Sequence, residues 1–183
     1  MGFEFEILDC IQGIRTPFLD TLMRIITGLG NGGIIWIVLA AVLLIIPKKR
    51  KSGLILAIAL CIDFIICNCI LKGMFMRTRP FDINTAIELI INKPKDFSFP
   101  SGHTAIAFAS FTALRLAGEK KICIPVLILA CLIAFSRLYL YVHYPTDILG
   151  GIGAGIASGC IGFAIINALS KRKNKVTFGR NNK

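Results

Sequence analysis

The chain has two histidines, and the residues around each could support chemistry. His143 and Asp147 are four apart, with Pro145 between them. Proline is favoured in the first turn of a helix. A helix is therefore predicted from Pro145, with His143 just before it and Asp147 in its first turn. The carboxylate can then accept a bond from one imidazole nitrogen, fixing the tautomer and freeing the other nitrogen to attack. His103 follows Pro100-Ser101-Gly102, where a polar turn enters an apolar run. Ser101 is predicted as the N-cap of that run. The amides of Gly102 and His103 would then have no intrahelical partner and, with the positive end of the helix dipole, would make an anion site. His103 would sit at its rim, able to give a proton.

Three cations complete the set. Lys72 and Arg79 bracket a short turn, with Pro80 predicted to stop any helix there, and Arg137 precedes His143. Arginine offers a planar fork to phosphate oxygens and lysine a compact point charge. Singly, each feature has a plainer reading: a histidine at a helix start caps or packs, and cations at span ends snorkel to the interface. Jointly they supply charge neutralisation, a nucleophile and an acid, which is what phosphoryl transfer without a metal requires.

These residues need a scaffold, and the composition points to a membrane. Of 183 residues 55% are hydrophobic, and the mean hydropathy is +0.74. A transmembrane helix needs about 20 mostly apolar residues. Apolar segments at 16–28, 29–46, 54–71, 104–117, 122–139 and 148–169 predict an all-α integral membrane bundle of six transmembrane helices. The first, with Asp20 and Arg24, is either a short span or an interfacial helix. The acidic opening MGFEFEILD does not read as a cleavable signal. Seven cysteines, none in a CxxC pair, read as small hydrophobes rather than disulfides or metal ligands. Tyr139, Tyr141 and Tyr144 read as an interfacial belt.

The net charge of +11 lies partly in clusters at 48–51, 120–121 and 171–173. No basic patch is interleaved with exposed aromatics, which argues against nucleic acid. Helix parity puts the three clusters on one face, and the positive-inside rule makes that face cytoplasmic. The outward face then carries all three chemical stretches. The loop 81–97, with Asp82, Glu88 and Asp96, is long enough to be a lid. Asp63, mid-span, is expected to face the bundle interior. Gly151, Gly155 and Gly159, four apart, predict close helix packing, within the chain or in a homo-oligomer. Residues 1–170 read as one membrane-embedded domain and 171–183 as a basic cytoplasmic tail.

Three ordered motifs stand at Lys72…Arg79-Pro80, at Pro100-Ser101-Gly102-His103, and at Ser136-Arg137…His143…Asp147. Together they resemble the type 2 phosphatidic acid phosphatase family, related to vanadium haloperoxidases, whose signature is K-x6-RP, PSGH and SR-x5-H-x3-D. The resemblance implies a phosphohistidine on His143, oriented by Asp147, with His103 protonating the leaving oxygen and then activating water. It implies that Lys72, Arg79 and Arg137, with Ser101 and the Gly102 amide, hold the phosphate, and that no metal or other cofactor is needed. Haloperoxidase activity would need bound vanadate, and the membrane spans argue against it. The expected protein is a bacterial plasma-membrane lipid phosphatase with an outward site, acting on undecaprenyl diphosphate, phosphatidylglycerophosphate or phosphatidate, with the polyprenyl substrate preferred. A phosphotransferase would use the same residues. A non-enzymatic lipid-phosphate binder or transporter would explain the cations but not two histidines with a carboxylate.

Overall fold

The structure, a computed structural model, describes residues 2–181 and the side chains of residues 2–172. The last two residues of the predicted basic tail, and its side chains from 173 onward, lie outside the described residues. Every long regular element among them is a helix: α1 (Gly2–Gln12), α2 (Pro17–Leu29), α3 (Ile34–Ile45), α4 (Arg50–Asp63), α5 (Lys72–Phe75), α6 (Pro80–Ile83), α7 (Gly102–Leu116), α8 (Lys120–Tyr139) and α9 (Pro145–Asn181). The predicted all-α class is therefore the one observed. Helix α1 was not anticipated, because its short, mixed sequence carries no span pattern.

Each of the six apolar segments is helical, but their lengths differ. Three stretches, Pro47–Ile83, Lys120–Tyr139 and Pro145–Arg172, are long and apolar enough to cross a membrane. The pair α2 and α3, bent by 41° at its junction, makes a fourth if counted as one span. Helix α7 has 15 residues, short of a full crossing. The chain is thus a multi-pass helical membrane protein with three or four candidate spans.

Local sequence explains several departures from the expected boundaries. The apolar run 29–46 is interrupted at Gly30-Asn31-Gly32-Gly33, where Gly32 and Gly33 have φ of 60° and 68°. That left-handed backbone is open to glycine and resisted by other residues. Proline 80 does not stop a helix. Helix α5 already ends at Phe75, where Met76 turns left-handed with φ 41°, and Pro80 instead opens α6 at its first position. Between α4 and α5 the backbone is π-helical over Phe64–Leu71, a geometry frequent at functional sites.

Helix α7 packs against α9, α8 and α4. The glycines of α9 allow this: a Cβ on Gly155 would fall 2.3 Å from the Ala105 carbonyl oxygen, and one on Gly151 2.7 Å from that of Ser101. The predicted glycine face is therefore used inside the chain. At one end of the bundle the Lys49 ammonium pairs with Glu119, whose carboxylate also accepts from Ser52 Oγ at 2.8 Å. This joins the basic turns before α4 and α8. The opposite end carries Lys72, Ser101 and Pro145. The tyrosines are not a belt: Tyr139, Tyr141 and Tyr144 are all buried. Tyr139 and Tyr141 donate at 2.7 Å to Asp20 and Asp9, so their hydroxyls bind α2 and α1 to the bundle rather than reaching the interface.

Candidate active site

A cavity of about 950 Å³ opens at this second end, lined by Lys72, Arg79, Gly102, His103, Arg137 and His143 among others. Each arrives from a different local device. Lys72 starts α5 after the π-helical segment, Arg79 is the extended residue before Pro80, and Arg137 sits in the last turn of α8. His143 lies in the Tyr141–Tyr144 turn before Pro145 opens α9.

His143 is 1% exposed. Its Nδ1 is 3.4 Å from Asp147 Oδ2, and its Nε2 is 3.3 Å from Arg79 Nη1. A guanidinium only donates, so Nε2 must accept and the ring proton belongs on Nδ1, towards the carboxylate. Burial, with Arg79 and Arg137 nearby, pushes the His143 imidazole down to about 3 against the opposing pull of Asp147. The ring is thus held neutral with a lone pair at Nε2.

Asp147 is fully buried. Its Oδ2 accepts from the Tyr144 amide at 2.9 Å and from the Ser98 hydroxyl, and its Oδ1 accepts from Arg77 Nη1 at 2.7 Å. The Ser101 amide donates to the Asp147 carbonyl at 3.0 Å, which ties the turn before α7 to the first turn of α9.

At the start of α7 the first intrahelical bond runs from the Ala105 amide to the Ser101 carbonyl. The amides of Gly102, His103 and Thr104 precede it and have no intrahelical acceptor. A Cβ on Gly102 would be 3.9 Å from Lys72 Nζ, so this helix start and the ammonium flank one space. Arg137 is 3% exposed; Nη1 donates to Thr27, and Nε, buried, has no partner among the described residues. His103 Nε2 lies 3.0 Å from Asn31 Oδ1.

Ser101 departs from its expected role. It occupies the N-cap position, but its hydroxyl makes no capping bond. It accepts instead from Thr104 Oγ1 at 3.0 Å, is fully buried and does not line the cavity.

Sequence reasoning missed the role of Asp96. Its half-exposed carboxylate pairs with the Lys72 ammonium and, at 2.6 Å, with Arg79 Nη2. Burial alone would raise its pKa, but Lys72 and Arg79 together bring it down to about 2. An anion from the chain therefore lies on two of the three predicted phosphate-binding cations. Its place in a long loop ending close before Pro100 was the available signal.

Fold and site together define a class: a multi-pass helical membrane protein with cations gathered around a buried, carboxylate-backed histidine. A family model described as the PAP2 superfamily matches residues 51–171, and the chain belongs to that superfamily. It is 32% identical over 151 residues to the undecaprenyl-diphosphatase of Sulfolobus acidocaldarius, covering 82% of this chain and 72% of that one. It is 30% identical over 195 residues to the undecaprenyl-diphosphatase BcrC of Bacillus subtilis, covering 96% and 100%. The crystal structure of Aquifex aeolicus LpxE superposes with a TM-score of 0.77 at 29% identity, covering 88% of this chain and 95% of that one. The family expected from the three motifs is thus the family found, and its relatives make this chain a phosphoric ester hydrolase.

Proposed function

We propose that the protein is a membrane lipid phosphatase that works through a phosphohistidine, without a metal, on a lipid phosphate or diphosphate. The observation that carries this reading is the His143 ring, neutral at Nε2, facing the cavity that Lys72, Arg79 and Arg137 also line. Substrate phosphate displaces the Asp96 carboxylate and lies on the three cations and the amides at the start of α7. Nε2 of His143 attacks phosphorus, the bond to the leaving oxygen breaks, and His103 gives that oxygen a proton. His103 then takes a proton from water, whose oxygen attacks phosphorus. The nitrogen–phosphorus bond breaks and His143 is restored. Asp147 holds the Nδ1 proton and stabilises the charge that develops on the ring. Ser101 contributes by holding the turn.

Undecaprenyl diphosphate is the preferred substrate, supported by two relatives that bear that name. Six membrane-embedded helices, with α7 partly immersed, and a site on the outer face fit the position of the basic turns at the opposite end. The test is phosphate release from undecaprenyl diphosphate, phosphatidylglycerophosphate and phosphatidate in the presence of EDTA. Activity on at least one, strongest on the first, is expected, with inhibition by vanadate and loss in His143→Ala. Strict dependence on a divalent ion, or full activity of His143→Ala, overturns the mechanism. For orientation, Lys93→Cys in a cysteine-free background should label from outside intact cells; labelling only after permeabilisation reverses the assignment.

A further inference from the structure

We propose that Asn31 is a positioning residue for His103, holding the Nε2 edge of the ring so that Nδ1 is the nitrogen that exchanges a proton with the leaving oxygen and then with water. This rests on the phosphatase reading above. The two residues are 72 apart in sequence, yet Asn31 Oδ1 lies 3.0 Å from His103 Nε2, and both line the cavity. An amide oxygen only accepts, so the neutral ring carries its hydrogen on Nε2 and its lone pair on Nδ1. The two histidines are therefore held in opposite tautomers.

The two orienting groups also differ in charge. His143 is backed by a carboxylate, which strengthens a nucleophile and steadies the positive ring formed when it attacks. His103 is held by an uncharged amide, which fixes the ring without adding an anion that would compete with the leaving oxygen for the proton. An acid that must release its proton within each turnover suits the second arrangement.

The turn that carries Asn31 is shaped to the His103 ring. A Cβ on Gly30 would fall 2.8 Å from His103 Cδ2, and one on Gly33 would fall 2.4 Å from Ile106 Cδ1. Glycines at 30 and 33 let the turn close on α7 over His103 and the residue three further along. The left-handed Gly32 and Gly33 then send the chain into α3. The break between α2 and α3 thus brings an amide to the acid.

The test compares kcat/KM for phosphatidate, whose alkoxide leaving group needs a proton, with that for p-nitrophenyl phosphate, whose phenolate does not. This constant covers only steps up to the first phosphoryl transfer, so the later role of His103 with water does not enter. Asn31→Ala should lose roughly 10–100-fold on phosphatidate and less than about 3-fold on the aryl ester. Asn31→Asp keeps the acceptor oxygen but adds the competing anion, so it should recover only part of the phosphatidate rate, remaining clearly above Asn31→Leu. Asn31→Leu, similar in size but unable to hydrogen-bond, should behave like Asn31→Ala and replaces it if that variant does not purify. Equal losses on both substrates, no loss on either, or no recovery in Asn31→Asp overturns the proposal. A wild-type protein that hydrolyses neither substrate nor undecaprenyl diphosphate overturns the phosphatase reading instead.

Discussion

Arg77 Nη1 meets Asp147 Oδ1 at 2.7 Å, so the carboxylate behind His143 is itself held by a cation. The same guanidinium stacks on the Tyr144 ring, 3.9 Å from its centroid, and its Nη2 reaches Glu4 of α1 at 2.6 Å. A line of contacts therefore runs from the first helix of the chain to the candidate nucleophile. Arg77 does not itself line the cavity.

Removing Arg77 should therefore change the rate more than substrate binding. Arg77→Ala should lower kcat roughly 10–100-fold with little change in KM, and Arg77→Lys should recover part of the loss. Glu4→Gln should have a smaller effect in the same direction. Steady-state kinetics on phosphatidate decides this; an unchanged kcat in Arg77→Ala would refute it.

On the proposed reading, Asp96, which pairs with Lys72 and Arg79, competes with substrate phosphate for them. Asp96→Asn should tighten inhibition by inorganic phosphate by roughly 2–5-fold, the range expected when one partner of the ion pairs is half exposed to solvent. The inhibition constant measured at fixed ionic strength tests this. Weaker inhibition by phosphate in the variant would mean that Asp96 supports the anion site rather than occupying it.

His143 predicts a pH dependence of stability. The folded protein takes up its proton at about 3 and the unfolded chain at the ordinary 6.5. Between these values the unfolded state binds more protons, so the contribution of a neutral, buried His143 is complete above 6.5 and is lost as pH falls towards 3. The slope is at most ~1.4 kcal/mol per pH unit. The Tm of wild type, measured against that of His143→Gln in one detergent, should drop relative to the variant between pH 7 and pH 5. A constant difference would contradict the burial argument.

The glycines of α9 offer a packing test with an internal control. A Cβ at Gly155 would strike the Ala105 carbonyl at 2.3 Å, whereas one at Gly153 meets nothing within 4 Å. Gly155→Ala should cost about 1–3 kcal/mol through overpacking and reduce activity, because α7 carries His103. Gly153→Ala should leave Tm and turnover unchanged.

The residues with distinctive chemistry were legible in the sequence. Pro145 marked a helix start, and that placed His143 and Asp147 in one turn. Ser101-Gly102 marked the start of α7, although its hydroxyl turned out to be engaged by Thr104. The partners of those residues were not legible. Arg77, Asp96 and Asn31 are ordinary polar residues in turns, and their roles depend on which distant side chain the fold brings opposite. The break at Gly32-Gly33 was not legible in the sequence, where 29–46 reads as one span. Only the packing of α7 shows that the break is fitted to His103. The number of crossings was also beyond the sequence pattern, because a hydropathy run does not reveal the 41° bend between α2 and α3.

The backbone contact between α7 and α9 has a consequence for motion. Two helices touching through glycine at Gly151 and Gly155, and pinned by the Ser101 amide on the Asp147 carbonyl, cannot shift independently. One carries His103 and the other begins just after His143, so the distance between the two rings is set by the frame. Asp96 lies in the segment between α6 and α7, whose Ser98 and Ser101 reach Asp147 but whose Asp96 carboxylate, among the described residues, bonds only Lys72 and Arg79. On the proposed phosphatase reading, a head group displaces Asp96 and meets two histidines that the frame has already placed.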